Sequence, residues 1–219
     1  MKIKISVILL GSLLILQNCA APTVKITAVT GHDQKIYHDS EVTSEKRHSV
    51  SISYYKNLEH VKSDTLFQIV VENRGEKPLF INNDNISVIF KGNSKGWTAK
   101  KIRIQPLDEF MKDLSDDYYY EEVKIISRII QIASADRATL YDVISVVSKV
   151  NRLREGLLNV LIAMRELILK PQLIAPHKSI MGIVACDTRE IPEDMEGNFL
   201  VVLSIDGEEY EFTFSRSVI

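Results

Sequence analysis

The chain has 219 residues, of which 45% are hydrophobic and 26% charged, a composition that excludes an intrinsically disordered polymer and supplies one sizeable core. Its formal net charge of −2 carries no basic excess, which argues against nucleic acid as a partner. The two cysteines, Cys19 and Cys186, are too few for a disulfide-built scaffold.

Met1, Lys2, Ile3 and Lys4 form a short cationic start, followed by an apolar stretch from Ile5 to Leu16 broken only by Ser6, Gly11 and Ser12. A bilayer-spanning helix needs roughly 20 apolar residues, so this run has the plan of a signal peptide over residues 1–18 rather than of a membrane anchor. Ordinary cleavage fits poorly. A cut after Ala21 leaves Pro22 first, and a cut after Ala20 puts Asn18 where a small side chain is wanted. Cleavage before Cys19, with Leu16 three positions upstream, resembles a bacterial lipoprotein signal, although Gln17 and Asn18 replace the small residues usual there. The resemblance implies acylation of Cys19 and attachment to a membrane through chains that each contribute about 0.8 kcal/mol per buried CH₂. Ala20, in place of the aspartate that resembles an inner-membrane retention signal, favours the outer membrane in a diderm organism. Removing Lys2 and Lys4 takes the 27 basic residues to 25 against 29 acidic ones, a net charge of −4.

Residues 19–48 are expected to hold the lipidated start, one strand over "TVKITAVT" with Val24, Ile26 and Ala28 on one face, and a long polar loop, "GHDQKIYHDSEVTSEKRHS". His32-Asp33 and His38-Asp39 in that loop have metal-ligand chemistry but no fixed geometry, so no metal is expected there. From residue 49 strand signals recur: Val50, Ile52 and Tyr54 share a face, as do Phe67, Ile69 and Val71. Asn73, Gly75 and Pro78 mark a turn. Shorter strands are predicted at Leu79 to Ile81, Ile86 to Phe90 and Trp97 to Ile104.

Beyond Pro106 the period changes from two to between three and four. Residues 107–169 form a helical block whose apolar faces need the sheet, another helix or a partner. "KDLSDDYYYEEVK" within it places acidic residues around Tyr118, Tyr119 and Tyr120. Ser115, Asp116 or Asp117 is expected to cap a helix whose first turn carries carboxylates, with one or two tyrosines packed inward. The other readings are a tyrosine-rich contact surface and a calcium site, the latter weakened by the missing Asp-x-Asp-x-Asp-Gly spacing. The face with Leu157, Val160, Leu161, Met164, Leu167 and Ile168 is expected to pack onto a neighbouring helix.

Strands return in "KSIMGIVAC", "NFLVVLSI" and "EEYEFTFS". Asp206-Gly207 suits a two-residue hairpin, "NFLVVLSI" a central strand, and Cys186 a small buried hydrophobe. Roughly nine short strands with turn signals favour a β-sandwich over residues 49–219, interrupted by one helical insertion, hence a mostly β, α+β fold.

"TLFQIVVENRGEKPLFINNDNISVIF" and "LIAPHKSIMGIVACDTREI" resemble the two signatures of telokin-like, immunoglobulin-type domains of bacterial envelope lipoproteins: Asn-x-Gly-x-x-Pro after a strand, and Pro-x-x-x-x-x-Gly leading into a later one. The resemblance covers roughly residues 49 to 105 and 171 to 215. It implies an extracytoplasmic binding or scaffold module with another envelope protein as partner, and supplies no catalytic residues. No HExxH, Cys-x-x-Cys, Gly-x-Ser-x-Gly or phosphate-binding glycine loop occurs, so no enzyme activity and no cofactor are expected. Small-ligand binding is the alternative function, and it requires an apolar pocket with convergent polar groups between sheet and helices.

Overall fold

The computed structural model describes residues 24–29, 31, 34–37, 41–55, 64–133 and 140–219. Two five-stranded antiparallel sheets form a β-sandwich with a helical insertion. The first sheet runs β1 (Val24–Val29), β12 (Glu208–Val218), β11 (Gly197–Ile205), β7 (Ile86–Gly92), β8 (Lys100–Ile102). The second runs β10 (Ser179–Asp187), β5 (Asp64–Glu72), β4 (Ser49–Tyr54), β3 (Glu41–Glu45), β2 (Gln34–Tyr37), while β6 (Leu79–Ile81) pairs separately with β9 (Gln172–Ile174). The insertion consists of α1 (Leu107–Ala133) and α2 (Leu140–Leu167).

Alternation builds the core between the sheets. Phe199, Val201 and Leu203 of β11 and Tyr210, Phe212 and Phe214 of β12 are buried on one side, facing Val50, Ile52, Phe67, Ile69 and Val71 of β4 and β5. Phe67 joins the two sheets, its ring centroid 5.0 Å from that of Phe214 and 5.9 Å from that of Phe199. Asp206 and Gly207, at φ 53° and 81°, make the β11–β12 hairpin with the two positive φ values that a type I′ turn requires. The same end of the sandwich is clasped by Tyr210, whose hydroxyl donates to Glu208 Oε2 (2.9 Å) and accepts from the His48 backbone N–H (3.0 Å). Burial pushes the Tyr210 phenol up to about 12, so the donor persists across the physiological range.

Strand β10 departs from simple alternation. Ile183, Val184, Ala185 and Cys186 are all buried: Val184 and Cys186 face the sandwich, whereas Ile183 and Ala185 join Leu66 beneath the helices. The continuous apolar run "GIVAC" follows from this burial on two faces.

Asn73 is fully buried and connects the chain before the insertion to the chain after it. Its Nδ2 donates to the carbonyls of Lys77 (2.8 Å) and Ile174 (2.9 Å), and its Oδ1 accepts from Gly75 N–H (2.9 Å). Its backbone N–H donates to Lys178 O, and its backbone carbonyl accepts from His177 N–H.

Three sequence expectations need correction. The segment before residue 49 is not a single strand and a loop, because β2 and β3 pair within it and extend the second sheet. Val42 and Ser44 are its buried alternate positions, and a buried serine hides the period-2 signal. The strand predicted from Trp97 to Ile104 shrinks to Lys100–Ile102, with Trp97 outside it and its ring edge-on to Phe90 at 6.3 Å. Finally, Ser115, Asp116 and Asp117 cap no helix, since α1 begins eight residues earlier at Leu107 and they lie inside it.

Replacing Asn73 by Ala should orphan the buried Ile174 carbonyl and leave the Lys77 carbonyl and Gly75 N–H without their side-chain partner, at a cost of about 2–3 kcal/mol. A urea titration should show a lower midpoint with an unchanged slope.

Candidate functional site

The helical insertion is rooted on the outer edge of β10. Asp187 N–H donates to Arg103 O and Gln105 N–H to Ala185 O where the chain leaves for α1; Leu169 N–H donates to Ile183 O where it returns from α2, each at 2.9 Å. Gly182 makes room for the return, because a Cβ there would sit 2.7 Å from Leu169 Cδ1 and 2.9 Å from its Cα. Only glycine tolerates that approach.

Above these roots the two helices run antiparallel and pack on the sheet through a second apolar cluster. Phe110, Leu114 and Tyr118 of α1, spaced four apart on one face, meet Met164 of α2 and Ile168 just beyond it over Leu66, Ile183 and Ala185. The Met164 face therefore packs on both the neighbouring helix and the sheet, a wider seat than the helix alone. Asp108 and Glu109 occupy the first turn of α1, where carboxylates suit the positive end of the helix dipole.

A charge cluster locks α1 to the end of β10. Asp187 accepts from Arg189 Nη2 (2.7 Å) and Nε (2.9 Å) and from Arg103 Nη2 (2.9 Å). Arg103 also grips Glu109 of α1 (Nη1 to Oε2, 2.7 Å), and Arg189 Nη1 lies 3.3 Å from Asp113 of the same helix. Gln105, 1% exposed, donates to Asp113 at 3.0 Å. The hydrogen bonds from Arg189 and Arg103 hold the Asp187 carboxyl well below the usual carboxylate range, and Arg103 lowers Glu109 in the same way. Asp187 and Glu109 are thus both held as carboxylates, and the cluster works as a clamp between α1 and the end of β10.

The three tyrosines separate on α1. Tyr118 is 7% exposed and belongs to the packed cluster, so it leaves the expected contact surface; its position four residues after Leu114 puts it on the buried stripe. Tyr119 and Tyr120 are 67% and 62% exposed. The Lys124 ammonium stands 4.4 Å over the Tyr120 ring. Tyr119 lines a hollow of about 120 Å³ between the helices with Ser115, Glu122, Arg154 and Leu157, and Arg154 bridges to Glu122 across it. Val123 and Ile126 extend the exposed apolar surface along α1.

Sequence reasoning missed the outward face of α2, where Ile144, Val147, Leu158 and Ile162 are all exposed. The doublets Leu157-Leu158 and Leu161-Ile162 were the available signal, because neighbours on a helix point about 100° apart and only one of each pair can share the packed stripe.

A second hollow, about 480 Å³ and open, is lined by Asn83, Asp84, Ile86, Lys101, Ile102, Arg103 and Ile104. It lies beside β7 and β8 rather than between sheet and helices, and charged side chains form much of its wall. Cys19, His32, Asp33, His38 and Asp39 lie outside the described residues. Among the described residues no three His, Cys, Asp or Glu side chains converge as a metal site, and no helix is long and apolar enough to cross a membrane. Cys186 is fully buried in the sandwich core. No protein-family model, curated protein or solved structure matches the chain.

The clamp makes the seat of α1 sensitive to acid. A carboxyl whose pKa is lowered on folding adds stability that is complete above its unfolded value, about 3.9 for aspartate, and that disappears as the pH falls toward the folded value. Asp187→Asn should lower the melting temperature at neutral pH by about 2–4 °C. Circular dichroism should show a steeper loss of stability below about pH 4 in the parent chain than in the variant.

Proposed function

We propose that this chain is a non-enzymatic, lipid-anchored protein of the bacterial cell envelope whose helical hairpin is a protein-binding or scaffold surface. The observation that carries the reading is the way the hairpin is seated. Among the described side chains Phe110, Leu114 and Tyr118 of α1 and Met164 of α2 are packed over the sheet, while Tyr119, Tyr120, Val123 and Ile126 stand exposed on α1. Tyrosine offers a large contact area at small entropic cost and a hydroxyl for the wet rim, which is why it is enriched at protein interfaces.

The envelope location rests on the signal-like segment 1–18 and on Cys19 as the acylated residue, with the outer membrane as destination in a diderm host. The immunoglobulin-type reading of the sandwich rests on the Asn-x-Gly-x-x-Pro and Pro-x-x-x-x-x-Gly stretches, whose Asn73 and Gly182 hold the two halves of the domain and the return from the insertion.

Two measurements test the proposal. Crosslinking in the native cell, followed by pull-down of the tagged chain, should recover an envelope protein. Tyr119→Ala with Tyr120→Ala should reduce that recovery about tenfold while the circular dichroism spectrum stays unchanged. Identical partners and yields from both chains would sink the tyrosine surface. In cells fed labelled palmitate, Cys19→Ser should abolish incorporation and move the protein out of the membrane fraction; continued labelling would remove the anchor.

A further inference from the structure

We infer that the outward face of α2 is a self-association surface on which a second copy of this chain packs its own α2 in antiparallel orientation. This does not depend on the tyrosine surface or on the lipid anchor.

Four large apolar side chains define the face: Ile144, Val147, Leu158 and Ile162, exposed by 55%, 49%, 59% and 58%. At 3.6 residues per turn they fall within an arc of about 60°, centred about 130° around α2 from the buried Met164. Such a stripe is a packing surface without its complement in the described residues.

The order of residues along the stripe identifies the complement. Ile144 and Ile162 are equidistant from residue 153, and Val147 and Leu158 from a point between residues 152 and 153. A helix laid antiparallel on a copy of itself about a two-fold axis at that point therefore sets Ile144 against the partner's Ile162 and Val147 against the partner's Leu158. Every apolar side chain meets another. Isologous contacts require this self-complementarity, in which residue i touches j and j touches i.

Charge agrees with the antiparallel register. Arg152 and Glu155 are both exposed and lie on the same flank of the stripe. In an antiparallel pair equivalent flanks face each other, so each Arg152 comes opposite the partner's Glu155, twice across the axis. On the other flank Arg154 is already held by Glu122 of α1, which keeps its charge compensated at the edge of the contact. Asn151 sits on the stripe near the axis, a polar side chain of the kind that fixes register between paired helices.

The test uses the full chain purified in a mild detergent, with thiol crosslinking by a short bismaleimide and the parent chain as control for Cys19 and Cys186. Sedimentation velocity from low to high micromolar concentration should show a dimer. Asn151→Cys should crosslink to itself in high yield. Ile162→Cys alone should not, because two copies of residue 162 lie about 27 Å apart along the axis, but mixed with Ile144→Cys it should crosslink to that partner. Leu158→Glu with Ile162→Glu should give a monomer with unchanged helical circular dichroism. A monomer at every concentration overturns the inference, as does a dimer that survives the double substitution or lacks the predicted crosslink pattern. So does a monomer that binds lipid vesicles through these same side chains, which would make the stripe a membrane surface.

Discussion

The open edge of β10 is the constraint on which the helical part of this molecule depends. β10 pairs with β5 on one side only, and an unpaired edge would leave a row of N–H and C=O groups exposed. Here the chain covers that edge with the two roots of its own insertion. Ile104 bridges to Cys186 and Ile168 to Ile183, which places departure and return about three residues apart on one strand, some 10 Å. Sixty-odd residues can thus leave and re-enter without disturbing the sandwich, because closing a long excursion costs little more than closing a short one. Asn73 performs the equivalent task at the start of β10, satisfying carbonyls on both sides of the excursion with one amide.

The seat is short and the helices are long. At 1.5 Å per residue, α1 and α2 each extend for about 40 Å, whereas the stretch of α1 from Leu107 to Tyr118 accounts for only about 18 Å. Over that distance Phe110, Leu114, Met164 and Ile168 each contribute roughly 1.5–3 kcal/mol by leaving water, and the arginine–carboxylate clamp fixes the angle at which α1 departs. Beyond that seat the described residues include a bridge between the two helices, from Arg154 to Glu122. Stability should therefore grade along the hairpin, highest where it touches Leu66 and Ala185. A surface of that kind adapts to a partner without endangering the core.

Much of this arrangement was legible in the sequence because its signals were local. Tyr210, Phe212 and Phe214 alternate with polar residues, Asp206-Gly207 has the chemistry of its turn, and the spacing of three and four after Pro106 marks the helices. What escaped depended on long-range context. Ser44 is buried although it is polar, so β3 looked like loop. The carboxylates near Tyr118 resembled a helix start, yet the helix had already begun where Leu107, Phe110 and Leu114 could reach the sheet. Tertiary packing outweighed the local capping preference. Tyr118 and Tyr119 are neighbours in sequence and opposites in environment, a division that a 100° step explains once the buried stripe is known, and that composition alone could not assign.

The position of β1 has a mechanical consequence. β1 is an edge strand joined to its sheet by β12 alone, in a register running from Val24 opposite Val218 to Val29 opposite Thr213. Any force applied to the chain on the amino-terminal side enters the domain through this one six-residue seam. Drawn along the strand, the force is shared by all the pairs at once and meets high resistance; drawn sideways, it opens them one after another. The direction of pull would therefore decide whether this edge behaves as a fixed post or as a strap that peels.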